Sequence, residues 1–375
     1  MTVYLLDPGM RTFGGHHANT ALVMTRALRD RGEVVRVLGH RDLIPGLTAE
    51  IGAEPWFAFG TYELASTDPM CWELETVLDG GELVAADLRR FDPAPGDILV
   101  WPTARPMHVL AMSKVLSEWA SPLLTVVTAG LPCGSTEAFF WRFAWRRLPQ
   151  GAPVVCVTTG KTMADDYAEK SGLTFRTAPN THEGRIRNRG GVDPAAGHVV
   201  IGVLGHQHAN KGTNLLPEVV RRTRGNVRWL VQDCGRDAEP ILDELETLPN
   251  VRVLRRAALD WHGLLAECDA LLMPYTRTTY ERTHSGLVAE AIASGIPFVI
   301  PDTPALVEQA SGAGCVAYEG DGVETVVHAV ETLLQHYKPL AILAYHQAAH
   351  YAATNGPGNW ADWLLGLAKE SGVRA

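Results

Sequence analysis

Residues 273–297 read MPYTRTTYERTHSGLVAEAIASGIP. This stretch decides the fold. It begins at the end of an apolar run, residues 269–275 (DALLMPY), which predicts a buried strand. The polar or small residues 276–285 follow and predict a loop. Ser285, Gly286 and Leu287 then open a helix over 287–293, which Gly295 ends, with Pro297 just beyond. A second strand, 297–301, starts at once. This order places a helix N-terminus at the carboxyl edge of a parallel sheet, where free amides and the helix dipole favour a phosphate. Glu290 lies too far along the helix to cap it, but its carboxylate can reach a ribose diol while the N-terminus holds phosphates. The bland alternative is a carboxylate on the helix surface. Tyr275, Arg277 and Glu281 are ordinary loop residues one by one. Their place between strand end and phosphate-type helix makes them site candidates.

A second signal lies upstream. Residues 198–205 (HVVIGVLG) predict a strand ending in glycine, followed by His206, Gln207, His208, Ala209, Asn210, Lys211 and Gly212, and then a helix. The glycine lets the backbone approach an anion and Lys211 supplies a mobile charge. The alternative is a solvated lysine beside a tight turn. His206 and His208 also suggest a metal pair, but no third ligand stands at a sensible spacing, so no metal site is expected.

Both segments resemble the donor site of GT-B glycosyltransferases of the large group-1 (family 4-like) retaining class. The resemblance implies that Glu290 binds the ribose and that Lys211, with Gly212, grips a donor pyrophosphate. There are three departures, one of them a Gly-to-Glu spacing one residue short. Arg282 stands where the family's first Glu belongs, eight residues before Glu290, and the nearest acid is Glu281. His206 stands where the family has Arg. A histidine is fully charged only below about pH 6.5, so phosphate binding is expected to be weaker and pH-sensitive. Glu281 or Ser285 is the candidate to replace the lost Glu. The resemblance covers residues 195–320 well, residues 1–40 weakly, and the middle of the first domain hardly at all.

The N-terminal part has the same grammar. Residues 2–7 predict a strand, Gly14 and Gly15 lie in the following loop, a helical stripe runs to Gly32, and 34–38 predict a second strand. This is not the GxGxxG of a dinucleotide site. It resembles the first βαβ unit of the family, whose paired glycines lie near the donor phosphate and acceptor. His16 and His17 follow directly: either a polar helix cap and a packed histidine, or a contact to acceptor or phosphate. Strands at 98–101, 123–127 and 154–157 alternate with helices at 107–119 and 137–148. The family's histidine after the strand near 127 is missing; the chain reads Thr128, Ala129, Gly130, Leu131, Pro132. The aromatic and basic segment 139–148 (FFWRFAWRRL) predicts core packing with a solvated arginine face. An interfacial helix for a lipid-linked acceptor is the alternative.

Residues 173–197 lose periodicity, and the domain boundary is placed there. The expected architecture is α/β, GT-B, two Rossmann-like doubly wound domains facing a cleft. Residues 1–180 form the acceptor domain and 181–356 the donor domain. The break at 355–358 precedes a Trp-bearing helix, within about 357–375, that packs back on the first domain.

At 375 residues the chain accommodates two cores. The net charge of −9 argues against nucleic acid as partner. No apolar run approaches the roughly 18–20 residues that span a bilayer, and the N-terminus reads as a strand rather than a signal peptide. Six scattered cysteines without CxxC suit a reduced cytoplasmic protein, with the inner face of the membrane as the other location. The expected activity is metal-independent hexosyl transfer from a nucleotide-sugar donor, itself a substrate, so no cofactor is expected. The acceptor is a glycan, a lipid-linked molecule or a small molecule, and the oligomeric state is open. Lys211, Glu281 and His16 are the candidate catalytic residues. Gly14, Gly15, His206, Lys211, Gly212, Tyr275, Arg277, Ser285, Gly286, Leu287 and Glu290 are the candidate donor-binding residues. Leaving-group charge is stabilised by Lys211 and the amides of 285–287. No placed carboxylate marks a covalent intermediate, so retention is implied by the resemblance alone. Two rivals stand beside this reading. A silent GT-B accessory protein binds nucleotide without turnover. An epimerase changes the donor without acceptor; an enzyme joining a cyclitol to an activated partner is a related case.

Overall fold

The computed structural model describes residues 1–13, 16–64, 72–119, 123–130, 133–233, 235, 237–255 and 260–373. The chain forms two compact units, Met1–Thr181 with Pro357–Ala375, and His182–Gly356. Each is a parallel sheet with helices on both faces, a Rossmann-like doubly wound domain.

The first sheet contains β1 (Thr2–Asp7), β2 (Val34–His40), β3 (Ala53–Phe57), β4 (Ile98–Ala104), β5 (Leu124–Ala129), β6 (Val154–Thr158) and β7 (Phe175–Thr177). Its order is β3-β2-β1-β4-β5-β6-β7. The strands read as apolar runs because both faces are covered. Tyr4, Leu6 and Trp101 pack on one side, and Val3, Leu5 and Val100 on the other. The edge strands β3 and β7 were not expected from the sequence. Ala53–Phe57 carries Glu54 and Pro55, and a proline is tolerated only where the ladder ends. The three residues of β7 lie inside the stretch of lost periodicity.

The second sheet contains β8 (Val199–Val203), β9 (Val227–Gln232), β10 (Val251–Leu254), β11 (Ala270–Leu272), β12 (Phe298–Pro301) and β13 (Cys315–Tyr318), in the order β10-β9-β8-β11-β12-β13. Each sheet reverses direction once, between β1 and β4 in the first and between β8 and β11 in the second. Ligands of open parallel sheets bind outside the carboxyl ends of the strands at this reversal.

The last helix, Gly356–Glu370, begins earlier than the glycines suggested. Pro357 falls in its first turn, where a missing N–H costs nothing. The helix buries Trp360, Leu364 and Leu367 in the core of the first unit, each side chain contributing about 1.5–3 kcal/mol. Arg31 fixes it further, donating to both carboxylate oxygens of Asp362, at 2.5 and 2.7 Å, and to the Gly358 carbonyl. Among the described residues no helix is long and apolar enough to cross a membrane.

Candidate functional site

In the second unit the two sequence signals emerge from β8 and β11, the strands that flank the reversal. Glycine geometry shapes the first loop. Gly205 (φ 93°) and Gly212 (φ 68°) adopt left-handed backbone that other residues rarely take. Between them, Gln207 is buried and organises the turn. Its amide nitrogen donates to the carbonyls of Gly205 and Gln232, and its side-chain oxygen accepts from the Thr213 hydroxyl. Lys211 follows on a short 3₁₀ turn, Ala209–Lys211.

The second loop is laced to the first. The Thr276 amide and hydroxyl both donate to the Asn210 carbonyl, at 3.0 and 2.9 Å. The expected polar loop contains a one-turn helix, Arg277–Tyr280, because Tyr280 stacks on Tyr275 with ring centroids 4.0 Å apart. Tyr275 is buried and its hydroxyl lies 3.1 Å from that of Ser285; burial holds its pKa well above the ordinary value. It therefore forms a wall of the site. The Lys211 ammonium stands 6.0 Å from the Tyr275 ring centre, a cation–π approach.

Ser285 caps the helix Gly286–Ser294 by accepting from the Val288 amide. Gln309 fixes the cap from the side, accepting from the Ser285 amide and donating to the Ser285 carbonyl. The amides of Gly286 and Leu287 have no intrahelical acceptor, and Gly286 is exposed. Thus Lys211, Gly212, Tyr275, Ser285, Gly286 and Leu287 come together around the reversal. Anion binding is the chemistry this arrangement supports.

The other donor-side candidates are placed differently. Glu290 is buried one turn further along, and burial pushes its carboxyl up to about 8, partly offset by the Trp261 indole. Glu281 and Arg282 are exposed. The Arg277 amide donates to Asp321. His206 and His208 stack with centroids 3.8 Å apart, and both turn toward Asp237. The sequence offered no third ligand at a sensible spacing; in the fold Asp237, beyond the strand β9, comes beside the two histidines.

Three supporting residues carry no local sequence signal. His182 lies under Gly286; a β-carbon there would fall 2.8 Å from its Nε2. Asp233 accepts from the Gln207 and Gly235 amides. Arg189 is almost fully buried and donates to five carbonyls, those of Arg187, Leu265, Cys268, Ser294 and Gly295. It thereby caps the carboxyl ends of the helices Trp261–Glu267 and Gly286–Ser294.

The first unit has its own polar cluster at its reversal. Asp7, at the end of β1, is fully buried and holds His17 Nδ1 at 2.7 Å and the Gly9 amide at 3.1 Å. Gly9 is required there, since a β-carbon would lie 2.3 Å from the imidazole. The ring of His16 is near the Thr103 hydroxyl (3.4 Å) and the Tyr62 hydroxyl (3.5 Å). His108 stacks on Trp101 and accepts from the Arg105 amide; burial lowers its pKa to about 3, so it is neutral. Gly14, Gly15, Leu131 and Pro132 lie outside the described residues.

The fold is that of GT-B glycosyltransferases of known structure. Residues 198–336 match the model of the family described as glycosyl transferases group 1. Comparison with curated protein sequences gives no match. Among solved structures, the chain is similar to Anabaena HepE in complex with UDP. The identity is 13%, coverage is 99% of this chain and 100% of that one, and the TM-score is 0.68. It is also similar to sucrose-phosphate synthase from Thermosynechococcus elongatus (12% identity, 99% and 98% covered, TM-score 0.70). WaaG, a glycosyltransferase involved in lipopolysaccharide biosynthesis, is a third (16% identity, 97% and 98% covered, TM-score 0.63).

Proposed function

We propose that the chain transfers a hexosyl unit, with retention, from a nucleotide-sugar donor to an acceptor hydroxyl. In this reading Lys211 and the amides of Gly286 and Leu287 hold the donor diphosphate. They take up the negative charge that grows on it as the glycosidic bond loosens. Tyr275 and Ser285 shape the diphosphate pocket, and Glu290 accepts hydrogen bonds from the ribose. Glu281 is the acid closest in sequence to the missing first Glu and binds the sugar. His16, beside the buried Asp7–His17 pair, serves the acceptor side. The carrying observation is the lacing of the Lys211 loop to the Tyr275–Ser285 loop through Thr276 and Asn210.

Uridine nucleotides are the first ligands to try, because HepE is described in complexes with UDP and UDP-glucose. Thermal unfolding against nucleoside diphosphates and nucleotide sugars tests the reading. A ligand at about 100 times its Kd stabilises by about 2.7 kcal/mol. Stabilisation of the wild type that is lost in Lys211→Ala supports it; no response to any nucleotide overturns it. His206 in place of Arg and Arg282 in place of Glu favour a second reading, a nucleotide-binding GT-B protein without transfer. Product analysis with bound nucleotide sugar separates the two.

A further inference from the structure

The geometry points to a divalent-cation site of the zinc class formed by His206, His208 and Asp237. The three ligand atoms lie within 4.8 Å of one another. His208 Nδ1 is 2.9 Å and His206 Nε2 3.4 Å from the same oxygen, Asp237 Oδ2. Donors about 2.0–2.1 Å from a tetrahedral zinc lie about 3.3 Å from each other, so the spacing suits one ion once an imidazole has rotated out of the stack. Two imidazoles and one carboxylate are a donor set that borderline-soft cations favour over magnesium or calcium.

Three further observations bear on a ligand here. The His206 Nε2 atom is shielded from solvent and, beyond its 3.4 Å approach to Asp237 Oδ2, makes no hydrogen bond among the described residues. The two rings stack nearly parallel, 18° apart, so one of them turns edge-on for both nitrogens to point at one ion. Gly235 gives the His206 ring its place, since a β-carbon there would fall 1.9 Å from Nε2. Gly235 is itself fixed by the buried Asp233, which accepts from its amide at 2.9 Å. The carboxylate that holds this turn thus supports the site without being a ligand.

Three protein ligands leave a fourth position for water or for an oxygen of an anionic ligand. The site is on the loop that carries Lys211, so a bound ion adds positive charge there. The assignment itself does not depend on sugar transfer.

Titration of the purified full chain with zinc chloride in chelator-free buffer tests the site. Cobalt(II) serves as a spectroscopic probe, because its visible absorption strengthens in four-coordinate sites. The wild type should bind one equivalent. Asp237→Asn, an exposed position that does not threaten the fold, should weaken binding at least about tenfold, and His206→Ala/His208→Ala should abolish it. Gly235→Ala, which displaces a ligand without removing one, should also weaken it. A folded wild type that takes up no zinc overturns the assignment. So does binding that is unchanged in the double histidine variant.

Discussion

Gly212 lies against the carbonyl of Pro274, so closely that a β-carbon on Gly212 would fall 1.8 Å from that oxygen. The contact joins the loops after β8 and β11, and the left-handed backbone of Gly212 adds a second demand for glycine. Gly212→Ala should therefore destabilise the protein by about 2–3 kcal/mol. It should also disturb the Thr276–Asn210 hydrogen bonds and weaken nucleotide binding. Urea unfolding and a nucleotide titration measure both effects; a variant as stable as wild type would refute the packing argument.

At Gly286 the obstacle is a side chain. Burial lowers the pKa of His182 to about 4, so the imidazole beneath Gly286 is neutral and packed. Gly286→Ala should cost about 1–2 kcal/mol through overpacking and impair nucleotide binding. Adding His182→Ala should return part of the lost stability. If the two changes are simply additive, the His182 ring and the glycine are not coupled.

Glu290 makes a prediction in pH. Burial raises its carboxyl from the ordinary 4.5 to about 8. Between these values the folded protein keeps a proton that the unfolded chain releases. Stability is thus full below about pH 4.5 and falls as pH rises through about 8. Glu290→Gln cannot ionise and should escape this decline. At pH 8 it should exceed the wild type by a few kcal/mol, each pKa unit being worth about 1.4 kcal/mol. Denaturant melts at pH 5 and pH 8 decide; parallel curves for the two proteins would place Glu290 in water.

The Asp7–His17 pair is buried on both sides. His17→Ala leaves the carboxylate with the Gly9 amide as its described hydrogen-bond donor and should cost about 3–5 kcal/mol. Asp7→Ala/His17→Ala should cost less than the two single changes summed. A double-mutant cycle by urea unfolding gives the coupling, and a coupling near zero would mean that the two side chains do not interact.

The fold was legible where the signal was local. The runs at 199–203 and 270–272, the stop at Gly295 and the Lys211–Gly212 turn each announce themselves within a few residues. Strand β3 was hidden because Glu54 and Pro55 break its apolar run. The site was legible as two fragments, and their lacing was not, because no pattern in the sequence says that Thr276 bonds Asn210. The same holds for Gln207, whose role comes from Gln232 and Thr213. It holds for Asp237 too, which reaches the two histidines only after β9 has turned back. These are tertiary contacts, and periodicity cannot report them.

The five carbonyls held by Arg189 have a consequence for reading variation in this protein. Arg189 precedes β8 in the chain and belongs to neither loop, yet it grips the tail of the helix whose head is Gly286. A rod held at one end is aimed at the other. A lesion at Arg189 will therefore resemble damage to the ligand pocket in every binding assay, although the residue caps the far end of that helix.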